Sequence, residues 1–276
     1  MSTAGDDIHL APAAPGGMID SHSHLADEAF GADVGAVLDR ARGAGLEALL
    51  CVVDVSDLAE VVRADGVSAR WEGIRTTAGV HPHRAGPFAG RPEAAADLVA
   101  ARLALDPKAR AVGAVGLDYH YDFAPRGAQR EVFAAQVALA RDTGLPLVIH
   151  TREADEDTIA ILEREGLGRV RGVFHCFSGD RRLAERALGL GFYVSFSGML
   201  TFPKADEIRR AAAIVPLDRV LVETDCPYLA PVPYRGRRNE PAWVARTVAA
   251  LAEIHRDDAG GMAALTSRNY RELFAP

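Results

Sequence analysis

Apolar and polar positions alternate along this chain on two different periods, and the switch between them recurs from Met18 almost to the end. A short apolar entry, Met18 and Ile19, runs into Asp20, His22 and His24. Helical spacing follows over Val34 to Gly43, and a buried-strand run over Ala48 to Val53. The same exchange continues with helix Leu58 to Ala64 and strand Ile74 to Gly79, then helix Ala94 to Leu105 and strand Ala111 to Gly116. Gln129 to Thr143 reads as a helix stopped by Gly144, with Pro146 leading into the strand Leu147 to His150. Thr158 to Glu165, Arg181 to Leu188 and Ala205 to Ala213 read as helices, each followed by a strand: Gly172 to His175, Phe192 to Phe196 and Val220 to Glu223. Trp243 to His255 reads as the last long helix.

Strict strand–helix alternation implies parallel strands joined by right-handed crossovers. Eight such units in a chain of 276 residues suit a (β/α)8 TIM barrel. A doubly wound open sheet is the alternative, but no G-x-G-x-x-G follows the first strand. His22, His24, His150, His175 and Asp225 lie at the ends of strands one, five, six and eight. Only a closed barrel gathers those ends around one mouth, so the barrel is expected, with its chemistry at the C-terminal ends of the strands.

Composition narrows the function classes. With 49% hydrophobic and 25% charged residues, the chain has material for one large core. Residues 18–276 are expected to form one domain, after a flexible Ala/Gly/Pro-rich tail at 1–17 that includes His9. No apolar run approaches the roughly 20 residues that cross a bilayer, and no secretory signal pattern is present. Three cysteines, Cys51, Cys176 and Cys226, do not make a disulfide framework, which points to a reducing cytoplasm. A net charge of −7 argues against a passive polyanion binder. A nuclease remains compatible with it if cations and local arginines supply the positive field.

In an extended segment alternate side chains share a face, so His22 and His24 project together and form one edge of a transition-metal site. The surrounding motifs sharpen this. D-S-H-S-H-L (20–25), G-V-H-P-H (79–83), G-x-x-G-L-D-Y (113–119), V-I-H-T-R (148–152), V-F-H-C-F-S-G (173–179), S-F-S-G (195–198), E-T-D-C-P-Y-L-A-P (223–231) and R-G-R-R-N-E-P (235–241) occur in order. Together they make the chain resemble the TatD-type metal-dependent hydrolases of the amidohydrolase superfamily, a family known for deoxyribonuclease activity. The resemblance implies one divalent metal ion on His22, His24 and Asp225, and a second on His150 and His175 with a bridging glutamate. Zinc, magnesium and manganese all fit that pattern.

The glutamate is replaced. The family reads G-E-x-G-L-D where this chain has Gly113-Ala-Val-Gly-Leu-Asp118, placing Ala114 at the bridging position. An isolated change inside a matching motif reads either as a natural departure or as a substitution that disables the site. A methyl group offers no ligand, so the second ion is expected to be weak or absent and the activity reduced.

The chemistry implied is hydrolysis by a metal-activated water, most readily at phosphodiester bonds of single-stranded DNA or DNA ends. Asp225 is the candidate proton acceptor and His81 a candidate donor to a phosphate oxygen. Arg152, Arg235, Arg237 and Arg238 are candidate phosphate contacts, and Tyr119 and Tyr121 could stack on a base. His83, His120 and His255 read as surface or packing residues, and Cys176 and Cys226 as small buried groups without redox work. Asp118, four residues past Ala114, stands out as a possible water-mediated metal partner. Two alternatives stay open: an amidohydrolase acting on a small-molecule amide or ester, and an inactive metal-binding relative. The expected assembly is a monomer.

Overall fold

The computed structural model describes residues 17–274; the expected tail, apart from Gly17, lies outside them. Eight strands form one sheet in sequential order, each parallel to the next. They are β1 (Met18–Ser23), β2 (Leu46–Cys51), β3 (Ile74–Ala78), β4 (Ala109–Asp118), β5 (Leu147–Arg152), β6 (Gly172–Phe174), β7 (Tyr193–Phe196) and β8 (Val220–Val222). Between them run α1 (Val34–Gly43), α2 (Leu58–Ser68), α3 (Pro92–Leu105), α4 (Arg126–Thr143), α5 (Asp155–Gly166), α6 (Arg181–Gly189) and α7 (Asp206–Ala212); α8 (Val244–His255) and α9 (Ala259–Phe274) follow β8. This is the expected TIM barrel, and the helix N-termini are locally specified. Asp57 and Asp180, for example, accept first-turn N–H groups of α2 and α6.

The seam between β1 and β8 closes just past the end of β8. Asp225 N–H donates to the His22 carbonyl at 3.0 Å, and His24 N–H donates to the Cys226 carbonyl at 2.8 Å. The buried carboxyl of Asp20 crosses the same seam, accepting from Thr224 N–H at 2.9 Å and Thr224 Oγ1 at 2.5 Å.

The chain adds one helix beyond those its sequence pattern predicts. Helix α9 follows α8, and Tyr270, Leu273 and Phe274 from it join Ile19, Leu50, Ala111, Val148, Val173, Tyr193 and Leu221 in one buried cluster. These strand residues come from seven of the eight strands, so the last turn of α9 stops the N-terminal end of the barrel. Asn269 Nδ2 donates to the carbonyls of Leu217 and Val220, and Ser267 Oγ to that of Gly17, fastening the helix there. Gly260 and Gly261 open α9, and their poor helix propensity hides its periodicity. Asp258 compensates as its cap, accepting from Gly261 N–H at 2.8 Å.

Candidate metal centre

Parallel strands in a barrel point their C-terminal ends to one mouth, and the mouth here is a cavity of about 990 Å³. His24, His81, His83, Ala114, Asp118, His150, His175 and Asp225 line it, with Arg152, Arg235 and Arg237 among the cationic side chains around them.

At the seam, His22 is wholly buried near the end of β1, and His24 lies just beyond that strand. Their Nε2 atoms are 3.2 Å apart, and Asp225 Oδ1 stands 3.7 Å from the first and 3.3 Å from the second. A cation about 2.1 Å from three ligands at tetrahedral angles sets them about 3.4 Å apart, so the three atoms have the spacing of a metal face. His22 is held neutral because burial pushes its pKa far below the ordinary value. Asp225 also suits the role: burial opposes its ionisation, but its bond to His24 and the neighbouring imidazoles outweigh that and hold it low. These residues fit a divalent cation.

His175, directly after β6, stacks on His22 with ring centroids 3.7 Å apart and planes 4° from parallel. Its Nδ1 faces Glu223 Oε1 at 3.4 Å, while Nε2 is buried with no hydrogen-bond partner. A carboxyl on one imidazole nitrogen commonly orients the other toward a metal. Burial pushes His175 down to about 4, which keeps its imidazole neutral at neutral pH. Glu223 was not among the residues expected here; only its place at the end of an apolar strand could have signalled it.

Across the mouth, the His150 and His175 rings lie with centroids 5.5 Å apart. His150 Nε2 lies 3.1 Å from Asp118 Oδ2, and His83 Nε2 lies 2.9 Å from that same oxygen. His83 therefore departs from the expected surface or packing role. Ala114 lines the cavity with a buried methyl group and offers no donor. His81 Nδ1 accepts from His83 N–H at 3.3 Å. Burial keeps the His81 imidazole neutral, so its proton sits on Nε2 and can be donated.

The arginine and aromatic expectations divide. Arg152 lies 4.7 Å over the Tyr121 ring, and Tyr121 stacks on Phe123 with centroids 5.3 Å apart and planes 3° from parallel. Both aromatics line the mouth and are exposed. Arg235 packs 3.8 Å over Phe202 and lines the cavity, as does Arg237. Arg238 does not: its guanidinium grips both carboxylate oxygens of Asp33, at 2.8 and 2.7 Å, and the Ala29 carbonyl. Tyr119 is likewise drawn away, donating its hydroxyl to Asp157 at 2.6 Å under Arg126. His120 pairs with Glu153 and His255 is half-buried on α8, in keeping with surface and packing roles. The three cysteines are free thiols.

A parallel eight-stranded barrel with histidine and carboxylate donors gathered at its C-terminal mouth defines a metal-dependent hydrolase. The sequence family described as TatD related DNase matches residues 19–275. This chain belongs to that family. It is 36% identical over 258 residues to the uncharacterized metal-dependent hydrolase YabD of Bacillus subtilis, covering 93% of this chain and 98% of that one. It is 36% identical over 264 residues to a protein of Erwinia tasmaniensis named 3'-5' ssDNA/RNA exonuclease TatD, covering 93% and 99%. The crystal structure of YJJV, a TatD homologue from Escherichia coli K12, superposes with a TM-score of 0.84 at 29% identity, over 94% of this chain and 98% of that one.

Proposed function

We propose that this chain is a divalent-metal-dependent phosphodiesterase that trims the ends of single-stranded DNA, slowed by Ala114. The observation that carries this reading is the mouth itself. An exposed pair of stacked aromatics, Tyr121 and Phe123, stands beside Arg152, and Arg235 and Arg237 line the same mouth. Aromatic faces take unpaired bases and guanidinium groups take phosphate oxygens, a combination a small neutral amide does not need. The Erwinia relative's name is consistent with it.

His22, His24 and Asp225 would hold the cation, with His175 stacked on His22 beside them. A divalent ion supplies a more acidic water and a polarised phosphoryl oxygen. The remaining work belongs to the chain. The ionised Asp225 accepts the proton of the attacking water and returns it to the leaving oxygen. His81 Nε2–H donates to a non-bridging phosphate oxygen, and Arg152 holds the next phosphate while its neighbour Tyr121 stacks the base. Free thiols and the absence, among the described residues, of any helix long and apolar enough to cross a membrane agree with a place in the cytoplasm.

The test is hydrolysis of end-labelled single-stranded oligonucleotides, duplexes and a panel of amides and esters by metal-loaded protein and its Ala114→Glu variant. Stepwise shortening of the single strand, faster by about 10²–10³-fold in the variant, is expected, at tenfold per 1.36 kcal/mol of recovered transition-state stabilisation. Turnover of an amide with the oligonucleotides left intact overturns the proposal.

A further inference from the structure

We propose that the chain builds a second cation centre of its own on the β3–β5 side of the mouth, held by His83 Nε2, Asp118 Oδ2 and His150 Nε2. The inference shares the metal chemistry proposed above and needs no assumption about substrate.

The three atoms lie within 4.8 Å of one another, and both imidazole nitrogens aim at the same carboxylate oxygen. Two imidazoles and one carboxylate form a common donor set for divalent transition metals. Separations of 2.9 and 3.1 Å match neighbouring ligands about 2.1 Å from an octahedral ion, which stand about 3.0 Å apart. The carboxylate is fixed before any ion arrives. Asp118 Oδ1 accepts from the N–H groups of His120 and Tyr121 at 3.0 and 2.9 Å, which leaves Oδ2 turned to the histidines. Buried Gln129 clamps the backbone on both sides, accepting from Asp118 N–H at 2.8 Å and donating to its carbonyl at 3.0 Å. Such fixing of a ligand by its neighbours is what separates a metal site from a chance meeting of polar groups.

Ala114 explains why the centre would form here. With no carboxylate at position 114, the acidic partner that His150 Nε2 meets is Asp118, at 3.1 Å. The expectation of a missing second ion counted only His150 and His175; Asp118 and His83 restore a charged three-ligand set a short way across the cavity. The ion they hold is displaced from the bridging position, so it adds positive charge at the mouth without sharing a ligand with the first centre.

The competing role for Asp118 is to orient His150 by a hydrogen bond, with His83 a bystander. Metal counting separates the two. The full chain is stripped with a chelator, reloaded with Mn²⁺, desalted and measured by mass spectrometry and by electron paramagnetic resonance. Two equivalents are expected, falling to one in H83Q, since glutamine keeps a donor to Asp118 but is a poor ligand. D118N should also fall to one, and H24A/H83Q to none. Retention of the first-centre equivalent in H83Q shows that the barrel is folded. One equivalent in the unaltered chain, or two in H83Q, overturns the proposal whether or not any substrate is cleaved.

Discussion

Arg235 and Arg237 line the mouth while Arg238, next in sequence, holds Asp33 and the loop before α1. That division gives three neighbouring arginines different consequences when removed. R235A and R237A should each raise KM for a single-stranded oligonucleotide several-fold and flatten the dependence of binding on salt, since each neutralised phosphate contributes about 0.7 of a unit of slope. R238A should leave the salt slope unchanged and lower stability instead, by about 1 kcal/mol for a partly exposed, bidentate pair. Binding isotherms at a series of salt concentrations, beside thermal melts, check both; equal salt effects from all three would refute the division. His24 offers a complementary test. Its Nε2 meets both other donors of the seam centre, so H24A should lose the metal equivalent held there and most hydrolysis, with little change in KM.

The fold was legible at the scale of elements because parallel barrel strands are buried on both faces and read as short apolar runs between helical stretches. The three donors that meet at the seam were legible for a related reason: each sits where such a run stops. What escaped the sequence depends on pairs far apart along it. Nothing near Arg238 announces Asp33, 205 positions away, and nothing near His83 announces Asp118. Helix α9 escaped through its glycine pair, although it stops one end of the barrel. Y270A should therefore destabilise the chain by about 3 kcal/mol or more, as large aromatic truncations in a core do, and denaturant titration measures it. The glycines of β4 carry a second element-scale prediction. Gly116 has φ of +140°, and a Cβ there would lie 1.9 Å from the His150 carbonyl oxygen. G116A should cost more than about 2 kcal/mol and shift His150 off its partner, since backbone cannot yield as a side chain does. A variant of unchanged melting temperature and metal content would show that the two strands can part without loss.

For the whole molecule, the mouth concentrates imidazoles whose pKa values burial depresses, His175 to about 4 against an ordinary 6.5. Between those values the unfolded chain binds the extra proton, so the neutral His175 contributes stability that is complete above about pH 6.5 and lost as pH falls toward 4. Asp20, pushed up to about 8 by burial, has the opposite sign: the folded chain holds its proton between 3.8 and 8, and that contribution grows on acidification. The His175 contribution is isolated by difference. The metal-free chain should lose more unfolding free energy than H175Q between pH 7.5 and 4.5, and parallel losses would contradict the assignment.

The seam carries one more consequence. His22, His24 and Asp225 supply the side chains of the centre and also main-chain bonds that join the first strand to the end of the last. A bound ion thus acts as a buckle on a hoop: it ties the side chains of the residues whose amides hold the hoop shut. Opening the ring there must break the coordination, and removing the ion must slacken the ring. The amide hydrogens of His24 and Asp225 should then exchange with solvent deuterium far more slowly in the loaded protein than in the stripped one, while amides of β3, which carries no ligand of either centre, change little. Chelation would initiate unfolding at the place where chain start and chain end meet, so the ion that equips the mouth for hydrolysis would also set how long the barrel stays closed.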